Sequence, residues 1–244
     1  MAENRATLYL HPTSVTDGRA VWLNPAGPAA FARASLYLDV TVRNPGALGR
    51  LGQLTAGFNS RGLSFGYQRD VFDDIIGHTY RIGLAGSSHR FAVGAAVALY
   101  RGGTSSTGWD VGLRYAPAPA VTLGGTIANI SEPVVRGLRQ PLTFLPGATL
   151  APFGPVVELS THARITRDAV AGYAFGAQWR TTLFAPLAAI VRLDTDDRLR
   201  RAAFAFGLVI GGQNSVGAVA TTSGDLRDAD AVSLYGLVSR SIRP

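Results

Sequence analysis

Between residues 34 and 243, bulky apolar residues alternate with small or polar ones in one short run after another. In residues 91–100 the odd positions carry mainly Phe, Val and Leu, and the even positions carry Ala, Gly and finally Tyr. Residues 109–115 repeat the pattern, with Asp110 and Arg114 on the second face. Successive side chains of a strand point to opposite faces, so each run predicts a strand with one apolar face.

Fourteen such runs follow one another, with turn residues between them. They lie near residues 34–43, 51–60, 62–70, 78–87, 90–101, 108–116, 120–130, 142–151, 155–165, 171–181, 186–194, 200–211, 214–223 and 231–242. Tight connections alternate with longer ones, which is typical of an up-and-down barrel. The sequence therefore predicts an all-β fold, a single antiparallel barrel of about 14 strands over residues 34–244. Residues 1–33 are predicted to form an N-terminal strand and a hatch or plug segment.

The composition favours a barrel whose outer surface faces lipid. Charged residues make up 16% of the chain, where a soluble domain usually has about a quarter. No run approaches the length of a membrane-spanning helix, which leaves a closed barrel as the spanning solution. The alternative is a soluble β-sandwich with the apolar face in its core. In the barrel, these residues are predicted to point outward: Phe91, Val93, Val97, Leu113, Leu123, Ile127, Phe175, Phe204, Phe206 and Leu208.

We expect the chain in the outer membrane of a diderm bacterium. The first ten residues are not a signal peptide, because their apolar core is too short. An exported chain would then be the mature form behind an added Met1, or part of a longer precursor. A chain that begins natively at Met1 would instead be a soluble or peripheral β protein, with its apolar face buried against partners.

The sequence carries no recognisable catalytic constellation. It has no Cys and no Lys, which excludes a thiolate metal site, a Cys nucleophile and a Ser/Lys dyad. The four histidines, His11, His78, His89 and His162, do not have metal-ligand spacing. Carboxylates cluster only in turns, without the spacing of a calcium loop. We therefore expect a non-enzyme with no catalytic residue, no metal site and no cofactor.

The net charge of +7 comes with arginine as the sole basic residue besides histidine. The arginines are scattered singly through strands and turns, so no nucleic-acid partner is expected. If the apolar parity faces lipid, six polar residues face the lumen: Gln68, Arg81, Asp110, Arg114, Gln178 and Arg180. Charge inside a membrane barrel is costly unless it is hydrated or paired, so some of these should pair. The many inward Gly and Ala residues leave room for an inserted plug, for which residues 13–32 are the candidate.

A short motif adds a family resemblance. Asn24, Pro25, Ala26 and Gly27 form an NPAG sequence, preceded by Gly-Arg-Ala at 18–20 and followed by the alternating runs. In this the chain resembles the FadL-like superfamily, which includes outer-membrane fatty-acid transporters and PorV-type secretion barrels. The resemblance implies a hatch carrying this motif, then fourteen strands. Residues 110–165 also resemble the barrel-like region before the protease domain of some large SppA-type proteins; the protease itself is absent.

Two functional hypotheses follow, and both place the chain in a lipid bilayer. In the first, a FadL-like barrel binds or passes a hydrophobic small molecule, with Asn24, Pro25, Ala26 and Gly27 as hatch and ligand residues. In the second, a structural barrel docks other membrane or periplasmic proteins, as PorV-type barrels do. A lipid or detergent retained in the lumen would favour the first hypothesis, and stoichiometric protein partners would favour the second.

Overall fold

The computed structural model describes residues 7–45, 49–72, 75–103, 105–181, 186–223 and 229–242. Within them the regular structure is almost entirely β, with short 3-10 helices at Ala20–Trp22, Gly27–Ala29 and Gly154–Val156. The strands are β1 (Arg33–Arg43), β2 (Arg50–Ser60), β3 (Leu63–Phe72), β4 (Ile75–Ser88), β5 (Phe91–Arg101), β6 (Ser106–Ala118), β7 (Val121–Ala128), β8 (Val134–Val135), β9 (Leu138–Arg139), β10 (Thr143–Leu150), β11 (Val157–Thr166), β12 (Val170–Thr181), β13 (Leu187–Thr195), β14 (Arg201–Gly211), β15 (Asn214–Ser223) and β16 (Ala231–Ser241). Among the described residues, no helix is long and apolar enough to cross a bilayer.

Fourteen of these strands form one closed antiparallel barrel, which confirms the predicted fold class. Each strand pairs with its neighbours in the chain, and β7 pairs with β10 across residues 129–142. The barrel closes where β1 pairs with β16, from Arg33 opposite Ser241 to Arg43 opposite Ala231. The two remaining strands, β8 and β9, form a small hairpin of their own.

The two rims of the barrel differ. We call the rim where β1 begins the near rim and the opposite one the far rim. Near-rim turns are mostly two residues long, as at Arg61 and Gly62, whose φ angles of +48° and +86° fit a tight hairpin turn. The far rim carries the longest connection, residues 129–142, which contains the β8–β9 hairpin and is called the far-rim loop below.

The wall has an apolar outward face, as the alternation predicts. Eight of the ten residues predicted to point outward are exposed; the other two, Val97 and Phe204, are half-buried on the same parity. On β4, for example, Ile82 and Leu84 are 42% and 66% exposed, whereas Arg81, the residue directly before Ile82, is 4% exposed. The apolar residues therefore lie on the outside of a closed wall, and the β-sandwich alternative is wrong.

Residues 7–32 form no strand, which corrects the expectation of an N-terminal strand in residues 1–33; residues 1–6 lie outside the described residues. The physical reason is that β1 and β16 pair with each other, so the barrel has no free edge for another strand. The backbone instead closes turns on itself, with the amide of Leu10 donating to the Thr7 carbonyl at 3.0 Å. We refer to residues 7–32 as the N-terminal segment.

Candidate functional site

The N-terminal segment runs through the lumen. It forms hydrogen bonds with inward-facing side chains on strands spaced around the wall. Four of these bonds join Gly18 to Ser35 on β1, Val21 to Arg81 on β4, Leu23 to Thr126 on β7, and Leu10 to Arg192 on β13. Because contacts reach such different parts of the wall, the segment spans the interior instead of lying along one side.

Asn24 fixes the NPAG turn to the wall and to the rest of the segment. Its side chain is fully buried, and its Nδ2 donates to the carbonyls of Pro12 at 2.9 Å and Leu113 at 3.1 Å. Its Oδ1 accepts from the Ala26 amide at 3.0 Å, closing a local Asn turn. Every polar atom of the amide is therefore engaged, which makes Asn24 a structural joint between the segment and β6.

Two wall glycines let the NPAG turn approach closely. A Cβ on Gly94 of β5 would collide with the backbone carbonyl of Pro25, and one on Gly112 of β6 would collide with the side chain of Asn24. Pro25, Ala26 and Gly27 are all buried against this part of the wall. Glycine is needed here because another backbone takes the place of a side chain.

Three of the six predicted lumen residues lie together beside the segment. Arg81 and Asp110 form an ion pair of 2.6 Å, and both are about 95% buried, with side-chain exposures of 5%. Asp110 also accepts a hydrogen bond of 2.8 Å from the Asn129 amide, and the Trp22 ring lies 5.5 Å from the Arg81 guanidinium. Gln68 is buried nearby, and its Nε2 has no hydrogen-bond partner among the described residues.

The other three predicted lumen residues lie toward the near rim. Arg114 is half-buried and donates to Thr122 at 3.2 Å. Arg180 is exposed, and it donates to the side chain of Gln178 at 3.0 Å and to the Pro155 carbonyl at 3.2 Å. The six residues thus form two separate groups, and only the far-rim group contains a buried ion pair.

A cationic and aromatic cluster holds the segment to the seam of the barrel. Arg19 pairs with Asp17 at 2.6 Å and donates to the Tyr9 hydroxyl at 2.6 Å. Its guanidinium also lies 5.4–5.9 Å from the ring centres of Tyr9, Tyr37 and Tyr235. Burial opposes ionisation of Asp17, but Arg19 outweighs it and holds the pKa of this carboxyl below its usual value. The segment is therefore anchored near β1 and β16 by a charge pair enclosed in aromatic rings.

Two histidines that are 151 positions apart in the sequence meet inside the barrel. The Nδ1 atoms of His11 in the segment and His162 on β11 are 3.0 Å apart, so one ring donates and the other accepts. Burial, with a further contribution from nearby Arg192, lowers the pKa of His11 to about 3. Both rings can share a hydrogen bond only when at least one is neutral. No group of three metal-ligating side chains occurs in the described part of the chain.

Sequence reasoning missed several of these contacts. His162 and Arg192 share the inward parity of their strands, so the alternation could have identified them. His11 lies in a segment without periodicity, and nothing local pairs it with a residue 151 positions away. Arg192 also pairs with Asp194 at 2.6 Å, two positions along β13, a spacing that places both on one face.

The far-rim loop folds back into the barrel mouth. Its Val135 is 6% exposed and packs with Ala98 and Tyr100 on the inner face of β5. Arg136 of the loop forms an ion pair with Asp70, which is buried on the inward face of β3. Apolar packing and charge pairing therefore both hold the loop inward, over part of the lumen.

A cavity of about 380 Å³ lies between the N-terminal segment and the far-rim loop. The segment contributes Leu8, Pro12, Trp22 and Leu23, the loop contributes Asn129, Gln140 and Pro141, and the wall contributes Tyr100, Ala128, Leu145 and several polar groups. Arg81 and Arg192 in its wall are ion-paired. Arg164, by contrast, forms no ion pair within the described residues. The cavity is thus largely apolar, with one uncompensated cation in its lining.

A second cavity, of about 650 Å³, lies on the near-rim side of the segment. Its lining is more polar and includes Asp17 and Arg19 of the segment together with Glu158 and Arg180 of the wall. The segment therefore separates two spaces inside the barrel, one toward each rim.

Comparison with solved structures shows the same fold in known membrane barrels. The crystal structure of the toluene transporter TodX of Pseudomonas putida matches over 94% of this chain and 94% of that chain, with a TM-score of 0.58 and 12% identity. The toluene transporter TbuX of Ralstonia pickettii matches over 96% and 98%, with a TM-score of 0.56 and 12% identity. A FadL homologue of Pseudomonas aeruginosa matches over 93% and 94%, with a TM-score of 0.55 and 12% identity.

At such low identity these similarities establish the fold alone. No protein-family model matches the chain. No curated protein matches it either. The FadL-type structures agree with the resemblance drawn from the NPAG motif, whereas the comparison with SppA-type proteins finds no support.

Proposed function

We propose that this chain is a non-enzymatic outer-membrane β-barrel of a diderm bacterium. It binds a hydrophobic small molecule in the cavity on the far-rim side of the N-terminal segment, and it passes this molecule across the membrane. In this proposal the segment is the hatch of the barrel. The observation that carries the proposal is the cavity itself, since an apolar chamber is closed on one side by the hatch and narrowed on the other by the inward-folded loop.

The outward face supports placement in a bilayer. Exposed large apolar side chains occur on strands all around the wall, and each is 36–67% exposed, which is a surface that water disfavours. In a closed barrel every strand has two neighbours, so no backbone edge remains unpaired in lipid. A fold shared with two toluene transporters also agrees with the proposed ligand class.

The lining of the far-rim cavity supports a compact, mainly apolar ligand. Trp22, Leu23 and Leu145 offer aromatic and aliphatic surface, and the volume suits a molecule of roughly the size of a monoaromatic compound or a medium-length acyl chain. Arg164 can form an ion pair with the negatively charged end of a ligand, so the cavity suits an anionic amphiphile as well as a hydrocarbon.

Trp22 provides a direct test. The chain has three tryptophans, and Trp109 and Trp179 are exposed on the outward face. A variant with Trp109→Phe and Trp179→Phe leaves Trp22 as the sole tryptophan reporter in the cavity. We expect toluene or decanoate, added to this full-length variant in detergent micelles, to change the Trp22 fluorescence in a saturable way.

Two variants in which phenylalanine replaces an alanine control this experiment. Ala128→Phe fills the cavity and should abolish the saturable response, whereas Ala95→Phe on the exposed outer face should leave it unchanged. A response that survives Ala128→Phe, or no response to either probe, would reject ligand binding in this cavity. Recovery of stoichiometric protein partners in that case would favour the scaffolding hypothesis.

A further inference from the structure

Three cation-forming side chains form a row on the outward face, next to the far rim. Arg69 on β3 lies opposite His78 on β4, and His78 lies opposite Arg101 on β5. All three point outward from their strands, as exposed Phe65 does on β3 and exposed Ile82 does on β4. Cross-strand partners lie about 5 Å apart, so the three basic residues span about 10 Å and their side chains can converge on one phosphate group.

In the part of the chain that the structure describes, the row has no anionic partner. Within the described residues, Arg69 and Arg101 form no ion pair, and Arg101 donates only to the backbone carbonyls of Tyr100 and Ser106. The Nδ1 of His78 is hydrogen-bonded to the Tyr67 hydroxyl at 3.0 Å. Its Nε2 therefore remains as the ring atom available to a ligand.

Below the row, the same three strands present a continuous apolar column. The next outward level contains Tyr67, Tyr80 and Leu99, and the following one contains Phe65, Ile82 and Val97. The rings of Tyr67 and Tyr80 are in contact in a tilted arrangement, with ring centres 5.3 Å apart. Basic side chains above tyrosines above aliphatic side chains match the order of a lipid: headgroup, interface and acyl chains.

The height of the row agrees with the headgroup level. From His78 to Ser88, β4 advances ten residues, which at the usual strand tilt of a membrane barrel amounts to about 25 Å across the bilayer. That is about the thickness of the apolar band of such barrels. Ser88 lies at the near-rim turn, so a bilayer whose one boundary lies there has its other boundary at the row. Among the described residues of β3 and β4, Val71 and Ile76 are the two on the outward parity that lie above the row.

We propose that Arg69, His78 and Arg101 bind the phosphate of an anionic membrane lipid whose acyl chains pack along Phe65, Ile82 and Tyr80. The arginines supply charge-assisted hydrogen bonds to phosphate oxygens, and the apolar column holds the chains. The occupant is a lipid and not free phosphate, because the site continues downward into an apolar surface. This inference rests on placement of the barrel in a bilayer but not on the ligand cavity inside it.

Native mass spectrometry of the full-length protein tests the site. The protein is released from detergent micelles containing dioleoyl phosphatidic acid or, separately, dioleoyl phosphatidylcholine. We expect retention of phosphatidic acid in preference to phosphatidylcholine. Arg69→Gln with Arg101→Gln should weaken retention by at least about tenfold, since each removes a hydrogen bond to a charged group. Arg240→Gln is the control, since Arg240 is an exposed outward arginine at the other rim.

Each further outcome has a defined meaning. Equal retention of both lipids, or retention unchanged by Arg69→Gln with Arg101→Gln, overturns the site. Displacement of phosphatidic acid by millimolar inorganic phosphate would assign the row to free phosphate and overturn the lipid assignment. Circular dichroism must show unchanged β structure in the variants. If toluene failed to bind in the internal cavity, the lipid-retention result would be unaffected.

Discussion

The two faces of the barrel wall use the same strands in different ways. Outward side chains such as Phe206 and Leu208 are exposed and form an apolar belt. Inward side chains such as Arg81, Asp110 and Thr126 each have a defined partner in the N-terminal segment, in another strand or in the far-rim loop. The apolar belt of the outward face thus requires hydrophobicity alone, whereas the inward face requires particular atoms in particular places.

This difference predicts opposite mutational sensitivities. The apolar belt should accept any apolar residue of suitable size and reject charge, because it is proposed to face lipid. The inward face should reject even small changes that remove a partner or add one atom where backbones touch, because its environment is closely packed and largely buried.

The largest effect is expected at the buried ion pair. Asp110→Ala leaves Arg81 buried without its carboxylate, and such a loss costs about 3–5 kcal/mol in free energy of unfolding. Denaturant unfolding of the protein in detergent micelles measures it. Val111→Ala, at the adjacent exposed position, should lower the free energy of unfolding much less. Equal losses at the two positions would show that the two faces do not differ in this way.

The outward face should respond to charge in a bilayer. Phe206→Arg places a cation in the middle of the proposed lipid-facing belt and should cost about 2–4 kcal/mol in lipid vesicles. Phe206→Leu should be nearly neutral by the same measurement. If the arginine variant were as stable as the leucine variant in vesicles, the outward face would not be facing lipid.

A smaller effect is expected where the NPAG turn meets the wall. Gly94→Ala puts a methyl group against the Pro25 carbonyl and should destabilise the barrel by about 1–3 kcal/mol or displace the segment. Gly86→Ala, on β4, meets no atom within 4 Å and serves as the control. Unfolding measurements, together with ion conductance in planar bilayers, distinguish destabilisation from opening; conductance and stability unchanged from wild type would contradict the close approach.

The smallest effect over a single pH unit near neutrality concerns His11, and it depends on pH. Its pKa is lowered from 6.5 to about 3 in the folded chain, so the unfolded chain binds a proton first as the pH falls. Stability is therefore full above pH 6.5 and is lost as the pH falls toward 3, by about 1 kcal/mol over the first unit. Unfolding titrations of wild type and His11→Gln should show a weaker pH dependence in the variant; parallel curves would refute the assignment.

The strands could be predicted from sequence because alternation is a local signal. The run predicted at 171–181 is β12, Val170–Thr181, and the run at 90–101 is β5, Phe91–Arg101. Each of these strands is sheltered on one face and exposed on the other, so every residue reports its own orientation. The same parity also places Arg81 and Asp110 on the inner side, although it does not say that they pair.

The interior could be predicted only in part. Which inward residues meet depends on the register between strands and on the path of a segment without periodicity. The contact of His11 with His162, and the hairpin by which Val135 returns into the barrel, both depend on such long-range geometry. No pattern within a few residues encodes them, so the sequence predicts a wall more readily than the contents of the lumen.

The seam between β1 and β16 has a consequence for how the chain folds. Ala34 pairs with Arg240 and Tyr37 with Leu237, so the closing hydrogen bonds join residues about two hundred positions apart. Bringing such distant segments together costs more chain entropy than forming any hairpin of the wall, and contacts of this kind form slowly. Hairpins can therefore accumulate early, while closure waits for β16. Until then β1 and β16 each present an unpaired edge, and the time spent in that open state sets how long the chain is vulnerable to aggregation.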